Sequence, residues 1–211
     1  MSTLADLKTR IVAETARDDL ETDIPDVLLY HIQDACEFYA DTKFWFNSIL
    51  TTVATTANVA TVTIPSTVRI IERLTLPAYD MELSEVTAYG LPETTTPTIP
   101  SHYAYYNDNI RFYPTPDAAY TLNVYGIAKV AAPAVDADTS IWTNEASRLI
   151  AAHARMTLLR DVFDANDDQI AKANGAVTDW LRRLKRETAR RLRTPLRSTR
   201  WDNVTFNYLT G

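Results

Sequence analysis

Two consecutive amphipathic helices are predicted between residues 143 and 193, where the sequence has its longest helical pattern. In the first helix, apolar residues recur at alternating steps of three and four, which places them on one face. This stripe consists of Leu149, Ala152, Met156, Leu159 and Phe163. Thr143 is the expected N-cap, and Arg148 and Arg155 are assigned to the opposite face.

The second helix is predicted to begin at Asn166, where Gln169 three residues later forms a capping box. Its apolar stripe is Ile170, Ala173, Val177, Trp180 or Leu181, Leu184 and Leu192. The connection through Asp164 and Ala165 is so short that it predicts an antiparallel helical hairpin. Gly175 within this helix costs ~1 kcal/mol relative to alanine, and we expect close helix approach to be the reason.

Two further helices are predicted near the start of the chain. The first has a capping box formed by Thr3 and Asp6, and the second begins near Pro25, because proline suits a first helical turn. Their apolar stripes are Leu4, Leu7 and Ile11 in the first helix and Leu28, Ile32, Ala35 and Tyr39 in the second. Both stripes predict packing on the C-terminal helical hairpin.

The hydrophobic period changes from 3.6 to two at Phe44 and remains two as far as Val130, which predicts β-strands. In one of these strands the apolar residues Val68, Ile70, Leu74 and Leu76 are expected to share a face. Later strands are rich in tyrosine but contain almost no interleaved lysine or arginine. This composition favours a sheet core with an amphipathic rim over a surface that stacks nucleic-acid bases.

The order of these periods predicts an α+β protein: a helical bundle from both chain ends, an inserted antiparallel β module and an extended C-terminal tail. Residues 1–43 would supply the N-terminal helices of the bundle, and residues 44–130 the inserted β module. Residues 131–142 would be a linker, and residues 143–193 a helical hairpin that completes the bundle. Residues 194–211 would form a tail that docks on a partner.

The composition excludes several classes of protein. The chain has four glycines, at positions 90, 126, 175 and 211, so the closely spaced glycines of phosphate-binding loops and nucleophile elbows are absent. No apolar run approaches the ~18 residues of a membrane helix, and the first residues lack the pattern of a secretory signal. Partners within a membrane are therefore not expected.

No local signature of catalysis or metal binding is present. His31, His102 and His153 are far apart in sequence and form no HExxH arrangement. Cys36 is the single cysteine and is expected to behave as a small buried apolar residue. We therefore expect no enzyme, no catalytic residues, no metal site and no cofactor. A hydrolase whose carboxylates meet only in the fold remains a weaker alternative.

Charge is distributed unevenly along the chain, whose formal net charge is −6. Residues 1–41 contain ten acidic and three basic side chains, whereas residues 182–200 contain nine basic side chains and a single acidic one. The basic residues assigned to contacts with a charged partner or with DNA are Arg182, Arg183, Lys185, Arg186, Arg190 and Arg191. The main alternative function is thus a nucleic-acid-binding module that acts through residues 182–200.

The last residues combine polar character with regularly placed aromatic side chains. Pro195 ends helical growth, and Val204, Phe206 and Tyr208 alternate with polar residues as in an extended strand. The expected partner-binding residues of this tail are Trp201, Phe206, Tyr208 and Leu209. Such anchors suit docking on another chain.

Taken in chain order, these features resemble a known family. Two N-terminal helices end in Phe-Trp-Phe-Asn at 44–47, and a β module follows that contains IRFYPTPDAAYTL at 110–122. The sequence Trp-Thr-Asn-Glu-Ala at 142–146 precedes a helix pair with an arginine-rich end. This order resembles the adaptor, or head–tail connector, proteins of tailed bacteriophages with podovirus-like particles.

The resemblance implies a structural virion protein, located at the head–tail junction and assembled in the cytoplasm of the bacterial host. It implies a dodecameric ring between the portal protein and the tail nozzle protein. DNA would pass through the centre without specific binding, and the C-terminal tails would reach toward the portal. The family offers no catalytic residues to transfer to this sequence.

Overall fold

A computed structural model describes residues 1–17, 19–22, 24–91, 96–163 and 165–192 of the protein. Its α-helices, numbered in chain order, are α1 (Leu4–Thr15), α2 (Asp19–Thr22), α3 (Pro25–Phe38), α4 (Ile141–Glu145), α5 (Ser147–Asp161) and α6 (Asp167–Leu192). α5 packs against α1, α3 and α6. Their shared core includes Leu7, Ile32, Trp142, Ile150 and Leu158.

Local capping explains where several of these helices begin. At α1 the Thr3 hydroxyl accepts a hydrogen bond from the backbone N–H of Asp6, whose carboxylate in turn accepts the Thr3 N–H. The expectation that Thr143 caps the next helical segment is wrong. Ser140 is the N-cap of α4, and Thr143 occupies the third helical position, where its hydroxyl accepts the Ser140 N–H.

Within the described ranges, seven strands form one sheet: β1 (Ser48–Ala54), β2 (Thr61–Thr63), β3 (Val68–Leu76), β4 (Met81–Glu85), β5 (His102–Tyr106), β6 (Asn109–Tyr113) and β7 (Thr121–Ala128). Their order across the sheet is β1-β7-β3-β4-β5-β6-β2. All neighbouring pairs are antiparallel except β4 and β5, which run parallel. The sheet is therefore mixed.

The sheet curls around a core of its own. Side chains of five strands share this core, including Leu74, Leu83, Tyr103, Phe112 and Val124. Across the curl, the Tyr105 hydroxyl on β5 accepts the backbone N–H of Ile71 on β3 at 2.9 Å. The same hydroxyl donates to the Ile71 carbonyl at 2.8 Å, so a side chain satisfies both main-chain groups beside a β-bulge.

The predicted helical bundle with a small inserted antiparallel β module is wrong as a description of the fold. The protein is a sheet-centred α+β structure, because seven strands form a mixed sheet with a core separate from that of the helices. The parallel pair arises because β4 and β5 are joined by the long connection 86–101. A connection of a dozen or more residues can return a strand in the same direction, whereas a short hairpin cannot.

The bulges in β3 also correct the predicted alternation. The pairing of β3 with β7 shifts register between Val68 and Ile70 and again between Ile71 and Arg73. Each extra residue turns the following side chains to the other face. Ile71 is consequently buried, while Ile70 is only half-buried.

Ion pairs connect the helices to the sheet. The Arg69 guanidinium on β3 lies 2.7 Å from the Glu37 carboxylate near the end of α3, and it also binds Asp41. These two hydrogen-bonded carboxylates raise the pKa of Arg69 above its usual range. One side chain thus ties the end of α3 to the sheet.

Candidate interaction surfaces

The last helix, α6, positions the basic residues singled out in the sequence. It contains 26 residues, which corresponds to a length of roughly 39 Å. The N-terminus is capped by Asn166, whose side-chain oxygen accepts the Gln169 N–H at 3.0 Å. Ala173, Val177 and Thr188 are its buried residues, so one side of α6 faces the protein and the other faces solvent.

Three of the predicted basic residues share the solvent-exposed side of α6. Arg182, Lys185 and Arg186 line a shallow apolar groove together with Thr178 and Ala189. Arg182 makes a 3.2 Å ion pair with Asp179. Among the described residues, no carboxylate lies within ion-pair distance of Lys185 or Arg186. We call Arg182, Lys185 and Arg186 the basic face.

The other three predicted basic residues are engaged within the protein. Arg190 and Arg191 pair with Glu187 at 2.8 and 2.6 Å. Hydrogen bonds from Arg191 and then Arg190 lower the pKa of Glu187. The Arg183 guanidinium lies 4.7 Å from the Trp180 ring centroid. All six predicted basic residues are exposed, but among the described residues only Lys185 and Arg186 have neither an ion pair nor an aromatic contact.

A cleft of about 300 Å³ lies between α1, α5 and α6. Its charged lining consists of Arg10 and Glu14 on α1 and Arg148 and Arg155 on α5. Trp180 of α6 forms another part of its wall, and Arg148 lies 4.9 Å from that ring centroid. We call this site the arginine cleft.

The cleft was missed by the sequence analysis, which assigned Arg148 and Arg155 to the face opposite the apolar stripe. That assignment is wrong, because both arginines line the cleft together with Ala152 of the stripe. The spacing 148, 152 and 155 follows the steps of four and three that bring residues onto one helix face. The sequence therefore contained the spacing that places the two arginines next to Ala152. That α1 also lines the cleft could be recognised only from the fold.

The outer side of α3 carries exposed aromatic residues on either side of a carboxylate. Tyr30 is 63% and Phe38 67% exposed, and Asp34 lies between them, also exposed. Positions four apart on a helix are neighbours, so the three side chains form a continuous row. We call Tyr30, Asp34 and Phe38 the α3 ridge.

Two buried histidines lie beneath this ridge, between α3 and α5. Nδ1 of His31 is 2.9 Å from the Thr157 hydroxyl, and Nδ1 of His153 is 3.0 Å from the Tyr39 hydroxyl. Burial lowers the pKa of both histidines and raises the pKa of Tyr39 to about 12. Burial thus favours the neutral form of each imidazole.

The remaining candidate groups for chemistry are dispersed. Burial raises the pKa of the Cys36 thiol to about 12, which opposes formation of a reactive thiolate. His102 lies on β5, where its Nδ1 is 2.8 Å from the Ser101 hydroxyl. No group of three or more His, Cys, Asp or Glu side chains that could hold a metal occurs within the described part of the chain.

Gly175 does not mark a close helix approach, contrary to expectation. A Cβ added at this position would meet no atom within 4 Å. The predicted partner-binding residues of the tail, Trp201, Phe206, Tyr208 and Leu209, lie outside the described residues. The same is true of residues 193–200 in the predicted basic segment.

A family model described as SU10 adaptor protein matches residues 2–204, nearly the whole chain. The chain belongs to the SU10 adaptor protein family. The resemblance to bacteriophage head–tail adaptors is therefore confirmed. A search of curated proteins finds no match.

As a member of the SU10 adaptor family, the protein is a structural adaptor of a bacteriophage virion at the head–tail junction. Such adaptors are typically non-enzymatic. None of the helices in the described ranges is long and apolar enough to cross a membrane. The family implies that the protein interacts with other virion components.

Proposed function

We propose that the protein forms a ring of identical copies that joins the portal protein to the tail nozzle protein. The number of copies implied by the resemblance is twelve. The observation that carries this proposal is the family match over residues 2–204. The unequal charge of the chain supports it, because an acidic N-terminal part and a basic face on α6 suit contacts with different neighbours.

The direct test is the mass of the purified protein in solution, alone and mixed with the portal protein of the same phage. We expect a complex in which several adaptor copies are bound to one portal assembly. If the adaptor remains unbound in the presence of the portal at micromolar concentration, the proposed connection is wrong. The same measurement with the nozzle protein tests the other end of the connection.

We further propose that DNA passes through the ring without specific binding. The net charge of −6 repels phosphates except near a local basic surface, and the basic face offers three exposed cations. Isolated protein should bind duplex DNA weakly, without sequence preference and with a strong salt dependence.

This second proposal is tested by replacing Arg182, Lys185 and Arg186 with glutamine. The matched control carries glutamine at Arg190, Arg191 and Lys172. The basic-face variant should lose most of its weak DNA binding, and the control should lose less. Lys185 and Arg186 have no ion-pair partner among the described residues, whereas Arg190 and Arg191 are already paired with Glu187. Nanomolar, sequence-specific binding at physiological salt would instead favour a nucleic-acid-binding module.

A further inference from the structure

The arginine cleft contains more positive charge than its own carboxylate neutralises. Its lining has three guanidinium groups but only one carboxylate, that of Glu14. Glu14 lies 3.3 Å from Arg10 Nε and 4.0 Å from Arg155 Nη1, so it is shared between two arginines. Among the described residues, no carboxylate pairs with Arg148.

One hydrogen-bond donor in the cleft also lacks an acceptor within the described part of the chain. Nε of Arg155 is buried, and no described atom accepts a hydrogen bond from it. Buried polar groups in folded proteins nearly always have a partner, so an unpaired donor next to an open cleft indicates an incomplete site. An arginine side chain offers a planar fork that matches a carboxylate.

The lining of the arginine cleft is partly apolar as well as charged. Trp180 and the small residues Ala152, Ala173 and Ala176 form its apolar part. A ligand that fits must therefore present a carboxylate close to apolar or aromatic groups. Such a group matches both the charged and the apolar part of the lining, which a free inorganic anion does not.

The α3 ridge has the complementary composition. The carboxylate of Asp34 is exposed and has no ion-pair partner among the described residues. By contrast, Glu37 and Asp41 near the end of α3 are already bound by Arg69. Exposed Tyr30 and Phe38 lie one turn away on either side of Asp34, and exposed aromatic groups of this kind mark interaction surfaces.

The two surfaces lie on opposite sides of α5. Arg148 and Arg155 face the cleft, whereas His153 and Thr157 contact α3. At roughly 100° per residue, these two pairs are separated by roughly 170° around the helix axis. One copy can therefore use both surfaces at once, as head-to-tail contacts require. Such contacts form a ring when the rotation between successive copies closes.

We propose that the arginine cleft binds the Asp34 carboxylate of a second copy of this chain, with Tyr30 and Phe38 packing on the apolar rim. This inference rests on the proposed function, because it names the surfaces through which neighbouring copies of the ring would meet. The exposed Asp34 carboxylate of one copy and the exposed Arg148 of the next have opposite charges and no ion-pair partner among the described residues, which favours this approach.

The test uses charge reversal in the full-length chain, with association measured by sedimentation, alone and on the portal. Arg148→Asp and Asp34→Arg should each weaken association between copies at least tenfold. The double variant R148D/D34R restores an opposite-charge pair in a head-to-tail contact, and we expect it to recover association. Lys129→Asp makes the same change of charge at an exposed position outside both surfaces and should associate like the wild type.

The possible outcomes separate the inference from the function on which it rests. The pairing of the arginine cleft with the α3 ridge is wrong if the wild type and the single variants associate equally well. It is also wrong if the double variant recovers no association. In both cases the proposed ring is not contradicted. If the wild type associates neither alone nor on the portal, both the ring and the pairing are wrong. If R148D loses DNA binding while its copies associate as in the wild type, the arginine cleft binds DNA phosphates instead of Asp34.

A folding control accompanies each variant. Arg148 and Asp34 are both exposed, so the melting temperature should change little on substitution. Asp34→Asn removes the charge with almost no change in size, and it should weaken association even if D34R fails to fold. Normal association of a folded D34N protein would overturn the proposal.

Discussion

The hydroxyl of Thr188 in α6 accepts a hydrogen bond from the backbone N–H of Trp45, at a distance of 3.3 Å. The same hydroxyl donates to the Leu184 carbonyl one turn earlier, at 2.8 Å. The Arg191 guanidinium lies 4.5 Å from the Trp45 ring centroid. The C-terminal part of α6 is thus attached to the segment that leads from the helices into the sheet, which fixes the direction of the basic face.

This attachment makes a prediction for Thr188→Val, which keeps the shape of the side chain but removes the acceptor. We expect the free energy of unfolding to fall by about 1 kcal/mol, because the half-buried Trp45 N–H loses its partner. Urea denaturation measures the difference. The matched control is Thr178→Val, since Thr178 also donates to the carbonyl four residues earlier but lies exposed. Equal losses in both variants would show that the bond to Trp45 contributes no stability.

Gly126 occupies a position where no side chain fits. A Cβ at this position would lie 2.0 Å from the carbonyl oxygen of Ile70 on the adjacent strand β3. Gly126→Ala should therefore force β3 and β7 apart and reduce the free energy of unfolding by about 3 kcal/mol. Thermal or urea denaturation of the purified variant tests this expectation.

Gly175→Ala is the opposite case. Its added Cβ meets no atom within 4 Å, and alanine loses less backbone entropy than glycine when a helix forms. We expect stabilisation by ~1 kcal/mol, measured by the same denaturation assay. Destabilisation would mean that another molecule or segment packs closely against α6 at this position.

The two buried histidines predict how stability depends on pH. Burial lowers the pKa of His31 and His153 below the ordinary value of 6.5. Their contribution to stability is therefore complete above pH 6.5 and is lost as the pH falls toward their folded-state pKa, because the unfolded chain then binds more protons. Each histidine adds at most ~1.4 kcal/mol per pH unit to the slope.

Double replacement of these histidines by glutamine tests the assignment. The free energy of unfolding is measured from pH 7.5 to pH 5 for the wild type and the H31Q/H153Q variant. The variant should be less stable at pH 7.5 and should show a flatter profile between pH 6.5 and 5. Parallel profiles would show that other groups cause the pH dependence.

Deletion of residues 196–211 tests the proposed role of the tail. Full burial of Trp201, Phe206 and Tyr208 on a partner would contribute roughly 1.5–3 kcal/mol for each side chain. Ordering the backbone costs on the order of 1–2 kcal/mol per residue, so main-chain pairing with the partner is needed as well. We expect the truncated protein to keep its melting temperature and to lose stable attachment to the portal.

A full-length variant with serine at Trp201, Phe206 and Tyr208 separates the aromatic anchors from the length of the tail. It should attach to the portal as poorly as the truncated protein. Normal assembly of the truncated protein would make the tail dispensable. A large fall in its melting temperature would instead identify the tail as an internal strap.

The sequence by itself determined the local elements and the family. Helices and strands follow from the period of apolar residues, and caps such as Thr3 with Asp6 depend on neighbours only three positions away. Even here the predicted start of the α4 segment was wrong, because both Ser140 and Thr143 are residue types that cap helices. In the structure the hydrogen bonds make Ser140 the N-cap. The family could be recognised because it depends on the linear order of motifs.

Only the tertiary structure decided which elements meet. Alternation predicts a strand but not its neighbour, so the parallel pairing of β4 with β5 followed from the path of the long connection. The arginine cleft combines Arg10 with Arg148 and Arg155, which are far apart in sequence. The space around Gly126 and Gly175 cannot be read from the sequence either: the first is enclosed by Ile70, and the second faces open space. Such contacts depend on long-range packing, which a periodic pattern of near neighbours does not encode.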